Sequence, residues 1–181
     1  MTVLKKILGS LGLIKTSSKR LEEYLDTLGI PFRNHNTQID GLTPSLIQIG
    51  ENFVSAPGSK IVSHDSSLIL SNGILRFGRV KVGDNVFVGA NSVILADTEI
   101  GDNCIVGAGA VVKGKFKADS VIVGNPAKSI MTVGQLLSKM NEGEAFVQIP
   151  PELLVKMKKS KLSFDDRRKI ENLVNVKIFK R

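Results

Sequence analysis

Between Val82 and Val112 the chain repeats a six-residue pattern: Val82-Gly-Asp-Asn-Val-Phe, Val88-Gly-Ala-Asn-Ser-Val, Ile94-Leu-Ala-Asp-Thr-Glu, Ile100-Gly-Asp-Asn-Cys-Ile, Val106-Gly-Ala-Gly-Ala-Val. Every unit opens on a β-branched aliphatic residue. The fifth positions, Val86, Ser92, Thr98, Cys104 and Ala110, are small or of modest size, and the second is glycine in four of the five units. A helix repeats every 3.6 residues and a strand every two, so a period of six fits neither alone. Short strands joined by bends do fit. Three of them make one triangular turn of a solenoid, with the aliphatic side chain filling the interior, a small residue at the crowded corner, and glycine expected where the backbone bends.

Upstream the rhythm is imperfect but legible, as Ile49-Gly50 with Phe53, Ser55-Ala56 with Ser59, and then Ile61. Twenty-one residues separate Ile61 from Val82, which is not a multiple of six, so part of this interval must leave the coil. Residues 66–79 lack the first-and-fifth pattern and read as an ejected loop. Loops hung on rigid repeats are where recognition usually resides. Downstream the pattern decays at Phe116, and Ser120 to Lys128 closes the solenoid with a turn signal at Asn125-Pro126.

Both ends read as helical. Leu4, Ile7, Leu8, Leu11 and Ile14 share one helical face, and a second helix is expected after Ser18 with Leu21, Leu25 and Leu28 buried and Gly29 and Pro31 closing it. Beyond the solenoid, Val133, Leu136, Leu137 and Met140 recur at helical spacing, with a turn at 141–143. Leu153, Leu154 and Met157 follow Pro150-Pro151, and Ser163-x-x-Asp166 has the form of a capping box before a further helix. The expected class is an all-β solenoid core flanked by α-helical segments: residues 1–36 helical, 37–131 the repeats with their ejected loop, and 132–181 a helical appendage.

Composition narrows the function. Aromatic residues are 5% of the chain and there is no tryptophan, so the apolar content is aliphatic, as stacked coils require. The net charge of +8 is carried by the ends: residues 1–36 hold six Lys and Arg against three acids, 37–150 nine against ten, and 151–181 ten against four. Basic ends suit anionic partners such as membrane surfaces, polysaccharides and phosphates. No aromatic residues interleave with the basic tail, which gives a nucleic-acid stacking platform no support. No apolar run approaches the roughly 20 residues of a membrane-spanning helix, and the apolar start is too short and glycine-broken for a signal peptide. The single cysteine, Cys104, falls on a packed fifth position, and the expected setting is the cytoplasm.

The hexads, together with Ile61-Val-Ser-His64-Asp65 and Val123-Gly-Asn-Pro-Ala-Lys128, resemble the hexapeptide-repeat acyltransferases, and most of all the sugar and polysaccharide O-acetyltransferases. The resemblance covers residues from about 45 to 131. It implies a left-handed parallel β-helix, a homotrimer with sites between subunits, and acetyl-CoA as acyl donor to a sugar or polysaccharide-precursor hydroxyl, without a metal. It also makes His64 the general base that deprotonates the acceptor for direct transfer. Histidine suits that task because its ordinary pKa lies near neutrality. Asp65 is a candidate to orient His64, although neighbours on a strand point to opposite sides and a backbone carbonyl could serve equally. The matching cofactor positions are Ala90, Ala108, Lys113, Gly114 and Lys128. Relatives often carry a hydroxyl residue followed by lysine where this chain has Lys113-Gly114. His35 has no motif support and reads as polar loop. Three other readings stay open: an N-acetyltransferase of an amino sugar, serine or antibiotic, a zinc hydratase needing three histidine ligands, and a non-catalytic scaffold with the basic tail as its binding element.

Overall fold

The structure is a computed structural model that describes residues 37–140, 147–158 and 161–178. The helices expected within 1–36, His35 and the turn at 141–143 lie outside these residues.

Strands pair in register across successive coils and build three walls. The first wall stacks β1 (Gln38–Ile39), β4 (Lys60–Ile61), the start of β9 (Val93–Ile100) and the start of β11 (Val111–Phe116). The second stacks β2 (Ile47–Ile49), β7 (Val80–Val82) and the later halves of β9 and β11. The third stacks β3 (Val54–Ser55), β8 (Phe87–Val88), β10 (Ile105–Val106) and β12 (Ser120–Gly124). Every pairing within a wall is parallel. Such stacking satisfies the backbone of each coil with that of the next.

The hexad positions pack as the period requires. Val82, Val88, Ile94, Ile100, Val106 and Val112 are no more than 2% exposed, and so are the fifth positions from Val86 to Ala110. Cys104 is among them, its thiol bonded to the Lys117 carbonyl, and burial pushes its pKa up, against any nucleophilic role.

The bends differ from expectation. The second-position glycines do not make them; Asn85, Asn91, Asp97, Asn103 and Gly109, the fourth residue of every unit, hold φ between 55° and 68°. Asn, Asp and Gly tolerate this left-handed region best. The second-position glycine is needed for close approach instead. A Cβ on Gly89 would sit 2.5 Å from the backbone nitrogen of Ala108 in the next coil.

Two of the three corners are constant and one is not. From second wall to third the chain takes five steps each time (Ile49 to Val54, Val82 to Phe87, Ile100 to Ile105, Phe116 to Val121), and from third to first again five (Ser55 to Lys60, Val88 to Val93, Val106 to Val111). From first to second it takes eight (Ile39 to Ile47), nineteen (Ile61 to Val80), four (Ile94 to Thr98) and two (Val112 to Gly114). All the irregularity stacks at one corner.

The longest of these connections is a folded excursion. β5 (His64–Asp65) pairs antiparallel with β6 (Arg76–Phe77), and the Gly78 N–H donates to the Ser63 carbonyl at 2.9 Å, closing its neck. A single turn, α1 (Ile69–Asn72), forms the tip, with Leu70 97% exposed.

The chain divides into two compact units between Ile130 and Met131. The second contains α2 (Val133–Met140), α3 (Pro151–Lys158) and α4 (Phe164–Ile178). The capping box forms: the Asp166 N–H donates to Ser163 Oγ at 3.1 Å, and the Ser163 N–H donates back to the Asp166 carboxylate at 3.0 Å. Lys156 bonds the same carboxylate, and these donors hold the Asp166 pKa down to about 2. No described helix is long and apolar enough to cross a membrane.

Candidate active site

The variable corner gathers the groups that could do chemistry. His64 stands at the neck of the excursion, a quarter exposed, on a strand whose partner sets it opposite Phe77. Its ring lies 6.4 Å from that of Phe77, tilted by 39°. The cleft itself has a volume of about 330 Å³ and is lined by His64, Asp65, Ser66, Arg76, Leu95, Ala96 and Lys113.

The group on His64 is Asp40, not Asp65. Asp40 follows β1, whose pairing with β4 sets the Asp40 N–H on the Ile61 carbonyl at 2.9 Å and so brings the side chain beneath Ser63 and His64. Its carboxylate is only 4% exposed and bonds His64 Nδ1. The Leu42 N–H donates to Oδ1 at 3.0 Å, and the N–H and hydroxyl of Ser63 reach Oδ2, each at 3.0 Å. Burial alone would raise this carboxyl's pKa, but the Leu42 N–H, His64 and the two Ser63 donors together hold it below the ordinary carboxylate range. A buried anion so saturated with donors is a fixed point from which to orient an imidazole.

Asp65, the expected candidate for that task, lines the same cleft but is turned away from the ring. Its carboxylate is engaged within the excursion, where the Ser67 N–H donates to it at 2.8 Å. That bond lowers its pKa, with Arg76 and Lys113 contributing through their charge. Asp40 was invisible to the repeat because it lies in the eight-step connection, outside the hexad register, 24 residues before the histidine it touches.

The cofactor positions divide between two corners. Lys113 and Gly114 occur where the pairing of β11 with β9 shifts register, between Val112 and Gly114, and Gly114 adopts φ 105°. A bulge of this kind re-aims a side chain, and Lys113 enters the His64 cleft. Ala90 and Ala108 lie instead on the constant corner between third and first walls, joined by the Gly109 N–H bond to the Ala90 carbonyl at 2.8 Å. Their small side chains leave that corner open. Lys128 is exposed on β13 (Ala127–Thr132), beside β12. Among the described residues no three His, Cys, Asp or Glu side chains are grouped to hold a metal ion.

Residues 79–114 match the family described as bacterial transferase hexapeptide (six repeats). Protein CapG of Staphylococcus aureus is 40% identical over 112 residues, which cover 60% of this chain and 65% of CapG. The chain therefore spans a little under two thirds of that relative. A galactoside acetyltransferase solved in complex with coenzyme A is similar in fold, with a TM-score of 0.50 and 20% identity over 63% of this chain and 67% of its own. A maltose O-acetyltransferase from Clostridium difficile 630 aligns at 29% identity and a TM-score of 0.46, over 55% of this chain and 64% of its own. The chain thus carries the hexapeptide repeat of the bacterial transferases, and the resemblance drawn from its sequence is upheld.

Proposed function

We propose that this hexapeptide-repeat chain is an acetyl-CoA-dependent O-acetyltransferase acting on a sugar hydroxyl, with His64 as general base. The observation that carries the reading is the buried Asp40 carboxylate bonded to His64 Nδ1 in an open cleft. An ionised Asp40 keeps the proton on Nδ1, which leaves Nε2 as the basic nitrogen facing an acceptor. His64 takes the hydroxyl proton at Nε2 as the acceptor oxygen attacks, holds it while Asp40 stabilises the imidazolium, and delivers it to the departing sulfur. The acyl donor supplies a thioester carbonyl, and no acyl-enzyme is needed.

The positions proposed for acetyl-CoA are Ala90, Ala108, Lys113, Gly114 and Lys128. Small residues at the constant corner suit a pantetheine arm bonded to backbone, and lysines suit its phosphates. Ala90 and Ala108 lie on a different corner from His64, which favours a site assembled between copies of the chain, in a homotrimer wound as left-handed β-helices. The half-exposed Val54 and Phe87 stack on the outside of the third wall beside that corner and suit a subunit contact. Surface polysaccharide synthesis in the cytoplasm, with the basic ends resting on a membrane surface, is the setting we favour.

The test is release of free thiol from acetyl-CoA in the presence of candidate sugars. Full turnover by His64→Ala would overturn the assignment. Light scattering on Phe87→Glu tests the assembly: a shift to smaller mass is expected, and an unchanged mass rejects that contact.

A further inference from the structure

A second, larger groove adjoins the His64 cleft. It has a volume of about 460 Å³ and runs over the second wall, where Gln48, Lys81, Glu99 and Lys115 stack one per coil, with Arg79 and Asp97 at its edge toward the variable corner. The two cavities meet at one ion pair: Arg76 lines the His64 cleft, Asp97 lines the groove, and the two side chains are bonded to each other.

The charges in the groove do not cancel. Asp97 is matched by Arg76, and Glu99 by Lys115 at 3.4 Å. Arg79 and Lys81 are left over. Among the described residues neither has a carboxylate within ion-pair reach. Arg79 immediately precedes β7 and Lys81 lies on it, one on each side of the buried Val80; both are exposed and both line the groove, about 7 Å apart along the chain. Two cations at that spacing form a pincer for one compact anion, and arginine adds the geometry to bind phosphate or carboxylate through two N–H groups.

We infer that the acceptor carries an anionic group, a phosphate or a carboxylate, which Arg79 and Lys81 hold in the second-wall groove while its reacting hydroxyl lies at His64. The inference rests on the acetyl-transfer reading and gives that reading its substrate class. The acceptor spans the Arg76–Asp97 pair, and the groove selects against an uncharged sugar of the same shape.

The test compares a hexose 1-phosphate, a hexuronic acid and a neutral methyl hexoside as acceptors, read by thiol release from acetyl-CoA. At least one anionic acceptor is expected to show the higher kcat/KM, and the two anionic arms separate phosphate from carboxylate. In Arg79→Gln/Lys81→Gln the ratio of anionic to neutral kcat/KM is expected to fall about tenfold, and raised salt should lower the same ratio in the parent protein. Equal rates for charged and neutral acceptors, or a preference that survives the double substitution, would overturn the inference. A binding measurement separates it from the catalytic reading. Inorganic pyrophosphate added to His64→Ala protein should shift the amide resonances of Lys81 and Glu99, and should not do so once Arg79 and Lys81 are replaced. Loss of these shifts with the double substitution supports the anion site even if no acceptor is ever acetylated, and their absence in His64→Ala protein rejects it even if transfer is confirmed.

Discussion

The coils from Val82 to Val112 and the chain from Ile39 to Val80 obey the same packing rule, yet only the second brings chemistry together. In the regular coils each connection is four or five steps long and every side chain is committed to the interior, to a bend or to solvent. In the earlier coils the interior is just as closed, with Ile47, Ile61 and Val80 at most 2% exposed, but the first-to-second corner lengthens to eight and then nineteen steps. Those extra residues owe nothing to the core. They supply Asp40, His64 and Arg76, and the shortened two-step corner two coils beyond the excursion adds Lys113. Regularity on two corners holds the walls in register, and irregularity confined to the third places groups distant in sequence against one another.

Four substitutions can break or sharpen this contrast. The largest effect is expected at the neck of the excursion, where His64→Ala should lower acetyl transfer by about 10² to 10⁴-fold with little change in melting temperature, because Asp40 keeps its Leu42 and Ser63 donors. A comparable loss of stability would move His64 into the structural class. In the regular coils the pattern should invert. Ile94→Ala removes a fully buried side chain and should destabilise by about 2 to 5 kcal/mol in urea titration, whatever it does to rate.

Asp40 joins the two behaviours. Asp40→Asn should lower kcat by up to about 10⁴-fold while leaving the KM for acetyl-CoA in place, since an amide can turn the imidazole to the wrong tautomer. Its stability effect should depend on pH in a stated direction. The folded carboxyl titrates below its ordinary value near 3.8, so its contribution is complete above that value and is lost as pH falls through the lower folded value. Unfolding of parent and variant should therefore differ most near neutrality and converge in strong acid; a gap that widens in acid would contradict the bonding described.

The smallest effect belongs to the helical unit. Ser163→Ala removes the cap of α4 and should cost about 1 kcal/mol of local stability, read as faster amide exchange in its first turn, with the solenoid and the transfer rate unaffected. Asp166 in the same box titrates at about 2, so it supports the helix above the ordinary carboxyl value and releases it only as pH falls through that range.

The hexads alone determined the interior. Inward residues at first and fifth positions follow from a six-residue period, because no other winding buries both sets, and the ejected segment followed from the arithmetic between Ile61 and Val82. His64 was legible by its place beside that segment and by its motif. The fourth-position bends were also encoded, in an unbroken series of Asn, Asp and Gly, whereas the second-position glycines serve close approach between coils. Asp40, the Arg76–Asp97 partition and the surplus of Arg79 and Lys81 were decided only by the tertiary structure. A periodic signal reports which residues share a wall, whereas the partner of a polar side chain depends on how far each connection lets the chain travel before it rejoins the stack. At the one corner where that distance varies, spacing in sequence says nothing of proximity in space.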